Sequence, residues 1–176
     1  MYEYILKNKL KRIYRRKSRE KHFLNWKDIH RVLVMFDTSH FDEATTFIKQ
    51  LKQSGKKVAV YAYQKKDDKR DYSTTGYHII SEKKIGTWFN NPLHAMAKGL
   101  KKETFDAVID LTLSDNIPME YLLAHIPASV KTGFKKADFP QYDLAITTLF
   151  VGEAENFQVR ELSRQIVYYL DKICAG

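Results

Sequence analysis

The sequence predicts an α/β protein, three layers deep, with a mostly parallel open sheet preceded by a basic amphipathic helix. Three observations carry that expectation. From residue 31 onward, short apolar runs of strand length alternate with longer stretches of helical period, the signature of a sheet covered by helices. The first strand, helix and strand fit within about 33 residues, the size of a right-handed parallel crossover unit. Charge is also segregated: eleven of the thirty Lys and Arg residues fall in the first 31 positions, against three acids, and the remainder is nearly balanced.

The elements follow in order. In the basic start, Tyr2, Ile5, Leu6, Leu10, Ile13 and Tyr14 recur at helical spacing with Lys and Arg between them, which predicts an amphipathic helix. Arg15 to Lys21 has no apolar residue and is expected to be solvated or bound to a partner. Phe23, Leu24, Trp26 and Ile29 can dock the end of this arm on the domain. Arg31 to Asp37 (RVLVMFD) reads as a strand buried on both faces. Phe41 to Ser54 reads as a helix with Phe41, Ala44, Phe47, Ile48 and Leu51 on one side, stopped by Gly55. Lys57 to Tyr63 is the second strand, and the polar run Gln64 to Thr75 is a loop expected to be flexible. Tyr77 to Ser81 is a third strand, and Pro92 opens a helix running to Lys102. Ala107 to Leu113, Val130 to Phe134 and Leu144 to Phe150 are further strands, Pro118 to His125 is a short helix, and Glu155 to Ile173 closes the chain as a helix. The pattern divides the chain into a basic arm, residues 1–30, and one α/β domain of Rossmann-like or flavodoxin-like kind, residues 31–176.

Size and composition bound the function. A chain of 176 residues with 44% apolar content can bury one sizeable core. No apolar run approaches the roughly 20 residues that cross a bilayer, and the N-terminus interleaves charge with apolar residues where a secretory signal needs an uninterrupted apolar segment. A cytoplasmic address is expected. The single Cys174 excludes an internal disulfide framework and any multi-cysteine metal site.

In an open parallel sheet, ligands sit beyond the carboxyl ends of the strands. The polar clusters there are Asp37, Thr38 and Ser39 after the first strand, and Asp110, Thr112 and Asp115 after the fourth, which form a possible ligand cleft if they face each other. The turn DTSHFDE lacks the glycines of a phosphate cradle, so neither a dinucleotide fingerprint nor a P-loop is present. Asp37, Asp42, Asp110 and Asp115 could hold a hard cation if they converged, but acids at such positions more often cap helices and form turns. Ser39 can start a capping arrangement, and Thr38 and His40 suggest a nucleophile and base, but neighbouring side chains on a turn seldom form a triad; His78, His94 and His125 share no metal spacing. No catalytic residue, metal or cofactor is assigned.

The arm carries the partner signal. Lys7, Lys9, Lys11, Arg12, Arg15, Arg16, Lys17, Arg19 and Lys21 can neutralise phosphates, and Tyr4, Tyr14, Phe23 and Trp26 can stack on bases, a combination suited to RNA. The alternatives are a helix on an anionic membrane surface, with Ile5, Leu6, Leu10 and Ile13 in the headgroup boundary, and a helix packed on the protein's own core or on a second subunit.

Phe105 to Phe134 (FDAVIDLTLSDNIPMEYLLAHIPASVKTGF) resembles an uncharacterised family of small bacterial proteins that join a basic N-terminal helix to one α/β domain. The likeness extends over most of the chain and implies architecture only. More weakly, Ile109, Asp110, Leu111, Gly133 and Phe134 are similar to a strand ending in IDL and a segment ending in GF in the N-terminal half of heptosyltransferase-like glycosyltransferases. Two features depart from that pattern: DTSHFDE replaces a glycine-containing acceptor loop, and there is no second α/β domain for a sugar nucleotide. The expected function is therefore non-enzymatic binding of a polyanion, RNA or a ribosomal particle before lipid. A small-ligand or glycosyltransferase-like domain is the enzymatic alternative.

Overall fold

The computed structural model describes residues 2–16, 23–85, 92–136, 140–147 and 158–173. Along the chain run α1 (Tyr2–Arg16), β1 (Arg31–Asp37), α2 (Phe41–Gln53), β2 (Lys57–Gln64), β3 (His78–Ser81), α3 (Glu82–Ile85), α4 (Pro92–Leu100), β4 (Phe105–Asp110), α5 (Ile117–His125), β5 (Ala128–Phe134), β6 (Leu144–Ile146) and α6 (Val159–Lys172). Single 3-10 turns at Trp26–Asp28 and Thr38–His40 flank β1. The described strands form one sheet in the order β3-β2-β1-β4-β5-β6, with every pairing parallel. Strand order reverses between β1 and β4, which makes that boundary the switch point of the sheet.

The alternation of β1 divides the interior in two. Val32, Val34 and Phe36 join Ala44, Phe47, Ile48 and Leu51 of α2 and Leu162, Ile166 and Leu170 of α6 in one core. Leu33 and Met35 point the other way, into a core completed by α1, α3, α4 and α5. A central parallel strand covered on both faces must be apolar at successive positions, and Val32 to Phe36 is 0% exposed throughout. Gly55 ends α2 at φ +84°, with Gly55 N–H donating to the Lys52 carbonyl and Lys56 N–H to that of Leu51. That is a Schellman stop, whose left-handed residue glycine adopts without strain.

The basic N-terminal helix is part of this body. Leu6 and Leu10 are 3% and 0% exposed within the second core, and Ile13 and Tyr14 pack against its edge. Residues of α1 meet α5, whose Pro118 to Ala124 are all buried. A helix apolar on every side needs cover on every side, and the sheet, α4 and α1 supply it.

Smaller differences from the sequence expectation have local causes. β4 starts at Phe105 and stops at Asp110, because the Asp110 carboxylate accepts the Thr112 N–H and turns the chain out of the ladder. The last strand is observed as Leu144–Ile146, and the expected extension over 148–150 lies outside the described residues, as do the expected helix start at Glu155 and Cys174. The loop after β2 is tied down: Gln64 Nε2 donates to the carbonyls of Asp68 and Arg70, and Lys66 N–H donates to Glu82.

Candidate functional site

Two regions bear on function: the carboxyl ends of β1 and β4, and the outer surface of α1. At the end of β1, Asp37 accepts the Ser39 N–H at 2.9 Å and so caps the turn that follows, with Lys65 Nζ 3.8 Å from its other oxygen. Buried Thr38 donates its hydroxyl to Asp68 at 2.7 Å. Asp68 also accepts from the Tyr72 hydroxyl at 2.7 Å and from the Arg70 guanidinium at 3.1 Å, and Arg70 reaches on to the Thr38 carbonyl at 2.8 Å. The Arg70 contact first, and then the Thr38 and Tyr72 hydroxyls, hold the Asp68 carboxyl well below the usual carboxylate range. The β2–β3 loop is thereby fastened onto the end of β1.

At the end of β4, Asp110 is 0% exposed. One of its oxygens accepts from the Thr112 N–H and hydroxyl at 2.9 and 2.7 Å, and the other from Lys136 Nζ and the Tyr142 hydroxyl at 3.1 and 2.6 Å. Lys136 Nζ also donates to Thr112 Oγ1 and, at 3.0 Å, to the Tyr142 oxygen. Four donors fill the four lone-pair positions a carboxylate offers. Burial, then the charge of Asp110, pushes the Tyr142 phenol up, which keeps it a donor.

The two polar clusters thus lie at the ends of adjacent strands and close into separate networks. Asp37 and Thr38 join the loop through Lys65 and Asp68; Asp110 and Thr112 join Lys136 and Tyr142. Ser39 and Asp115 are exposed, and Ser39 joins the first network only through its backbone N–H, which donates to Asp37. Among the described residues, no group of three His, Cys, Asp or Glu side chains could hold a metal ion. A groove of about 620 Å³ lies elsewhere, between α2 and α6, lined in part by Asp42, Glu43, Phe47, Arg160 and Arg164.

Two phenols under the same face of the sheet feel these acids. Tyr63, near the end of β2, is pushed up by burial and then by the charges of Glu82, Glu3 and Asp37. Tyr14 is pushed up by burial and then by Glu120 and Asp110. The helix lies on α5 with Leu6 and Leu10 inward. On its outward side Tyr4, Asn8, Lys9, Lys11, Arg12 and Arg15 are exposed and Lys7 is half-buried. Arg16 ends the helix, and Lys17, Arg19 and Lys21 lie outside the described residues. Lys83 and Lys84 of α3, Lys98 of α4, and Lys101 and Lys102 just beyond it are exposed on the same side of the sheet. Among the described residues no helix is long and apolar enough to cross a membrane.

Sequence reasoning missed Lys136, Tyr142 and Asp68. Lys136 and Tyr142 flank a segment without periodicity, and Asp68 sits among three acids in a polar run, so nothing local marks them. The docking of α1 did leave a signal: PMEYLLAH has no polar face, its apolar residues spreading around the helix with only Glu120 and His125 between them, and so demands a cover.

Residues 2–173 match the Family of unknown function (DUF6913). The chain belongs to that family. The match spans the basic helix and the sheet together, as the likeness to an uncharacterised family implies. No curated protein and no solved structure matches this DUF6913 member, so the glycosyltransferase likeness gains no support from either.

Proposed function

We propose that this protein is a non-enzymatic polyanion-binding protein of the cytoplasm, associated with RNA or a ribonucleoprotein such as a ribosomal particle through the outer face of α1. One observation carries the reading: Leu6 and Leu10 are buried while Lys9, Lys11, Arg12 and Arg15 remain exposed. The helix is fixed before any partner arrives, so its cations are presented at little further cost in conformational entropy. Lysines 83, 84, 98, 101 and 102 extend the same positive layer. The lipid alternative needs Leu6 and Leu10 turned outward into headgroups, and both are committed to the core. The enzymatic alternative needs water-accessible strand-end groups, whereas Asp110 and Thr112 are at most 1% exposed.

The test is binding of the full chain to labelled RNA across a salt series. Four phosphate contacts by the exposed α1 cations give a slope of log affinity against log salt of about −3 to −4. A variant carrying Lys9→Glu, Lys11→Glu, Arg12→Glu and Arg15→Glu should lose that slope and its co-sedimentation with ribosomal particles. A flat salt response in the unaltered protein overturns the reading.

A further inference from the structure

We infer that the nucleic acid taken by the α1 face is a duplex or stem, gripped by its phosphates, and not an unpaired strand; this rests on the polyanion reading above. Unpaired strands are held by bases stacked on aromatic rings as well as by cations. Of the five aromatic residues in the basic segment, the side chain of Tyr2 lies outside the described residues, and among the other four only Tyr4, 70% exposed, presents its ring fully to solvent.

The other three are spent on the fold. Tyr14 packs against the α5 core and its hydroxyl is sealed from solvent. Phe23 packs against the opposite core. Trp26 is half-buried, and one face of its indole is covered by Lys56 Nζ at 4.1 Å from the ring centre. The remaining large exposed aromatics among the described residues, Tyr168 and Tyr169, lie on α6, across the sheet from α1. Among the described residues, that surface is thus rich in cations and poor in stacking platforms.

Such a surface reads charge spacing and shape. In a duplex the bases are stacked on each other and the phosphates stand in regular rows, so rigid cations suffice. Lys11 and Arg15 are one helical turn apart on an anchored helix, and the lysines of α3 and α4 add cations beyond it. Base identity has no reader here, which makes the expected recognition sequence-independent.

The experiment compares an RNA duplex of about 16 base pairs with an unpaired polyuridine strand of the same phosphate number, by fluorescence anisotropy on the full chain at one salt concentration. The duplex should bind at least about tenfold more tightly; Tyr4→Ala should change its affinity less than about twofold; and Lys11→Glu with Arg15→Glu should weaken it by about tenfold or more. These positions are exposed, and a thermal melt of each variant verifies the fold. Equal or tighter binding of polyuridine, or a loss of about tenfold on Tyr4→Ala, overturns the duplex preference and leaves the polyanion reading standing. Failure of both RNAs to bind overturns both.

Discussion

Tyr142 lies so close over Gly133 that a Cβ at position 133 would sit 2.5 Å from its ring. The glycine is there because β5 must let that ring pass and deliver its hydroxyl to Asp110, 2.6 Å away. The conformational freedom of glycine plays no part at this position; the missing side chain does.

Gly133→Ala is therefore expected to push the ring aside, break the Tyr142–Asp110 hydrogen bond and destabilise the protein by about 1–3 kcal/mol. Urea denaturation measures it, with Tyr142→Phe as the comparison that removes the hydroxyl and keeps the ring. A Gly133→Ala protein as stable as the parent would mean that the ring can slide without cost.

Leu10→Ala tests the place of α1. Leu10 is 0% exposed, and truncating a leucine in such a site costs about 2–5 kcal/mol. A helix hanging off the domain would lose nothing measurable, so an unchanged urea midpoint would detach α1 from the core.

The Asp68 tether should respond to acid. Its carboxyl titrates below the ordinary range when folded, chiefly through Arg70, so its contribution is present above the unfolded value of about 4 and is lost as pH falls further through the folded value. The stability difference between the parent and Asp68→Asn should be constant near neutrality and shrink below about pH 4. A difference unchanged down to pH 2 would show that the bonds from Thr38, Arg70 and Tyr72 do not depend on the charge.

The β1–α2–β2 unit was legible because each segment satisfies one periodicity: five successive apolar residues in β1, then Ala44, Phe47, Ile48 and Leu51 at helical spacing, then Gly55 as a stop. The parallel sheet followed from that unit. The short helix Glu82–Ile85 was not legible, since four residues carry no period. Lys9, Lys11, Arg12 and Arg15 of α1 are exposed, as an amphipathic helix requires, whereas nothing in the sequence marks the rings of Tyr14 and Trp26 as taken up by the fold. At the strand ends, Asp37 and Asp110 were found by position. That Asp110 is saturated depends on Lys136 and Tyr142, which come to it from 26 and 32 residues away.

The packing of α1 on α5 also orders events in time. Residues 2–16 are made about a hundred residues before 117–125, which complete the surface that buries Leu6 and Leu10. A contact of such long sequence separation forms late and slowly. During that interval both leucines are uncovered, and the like charge of the lysines and arginines beside them opposes association between chains.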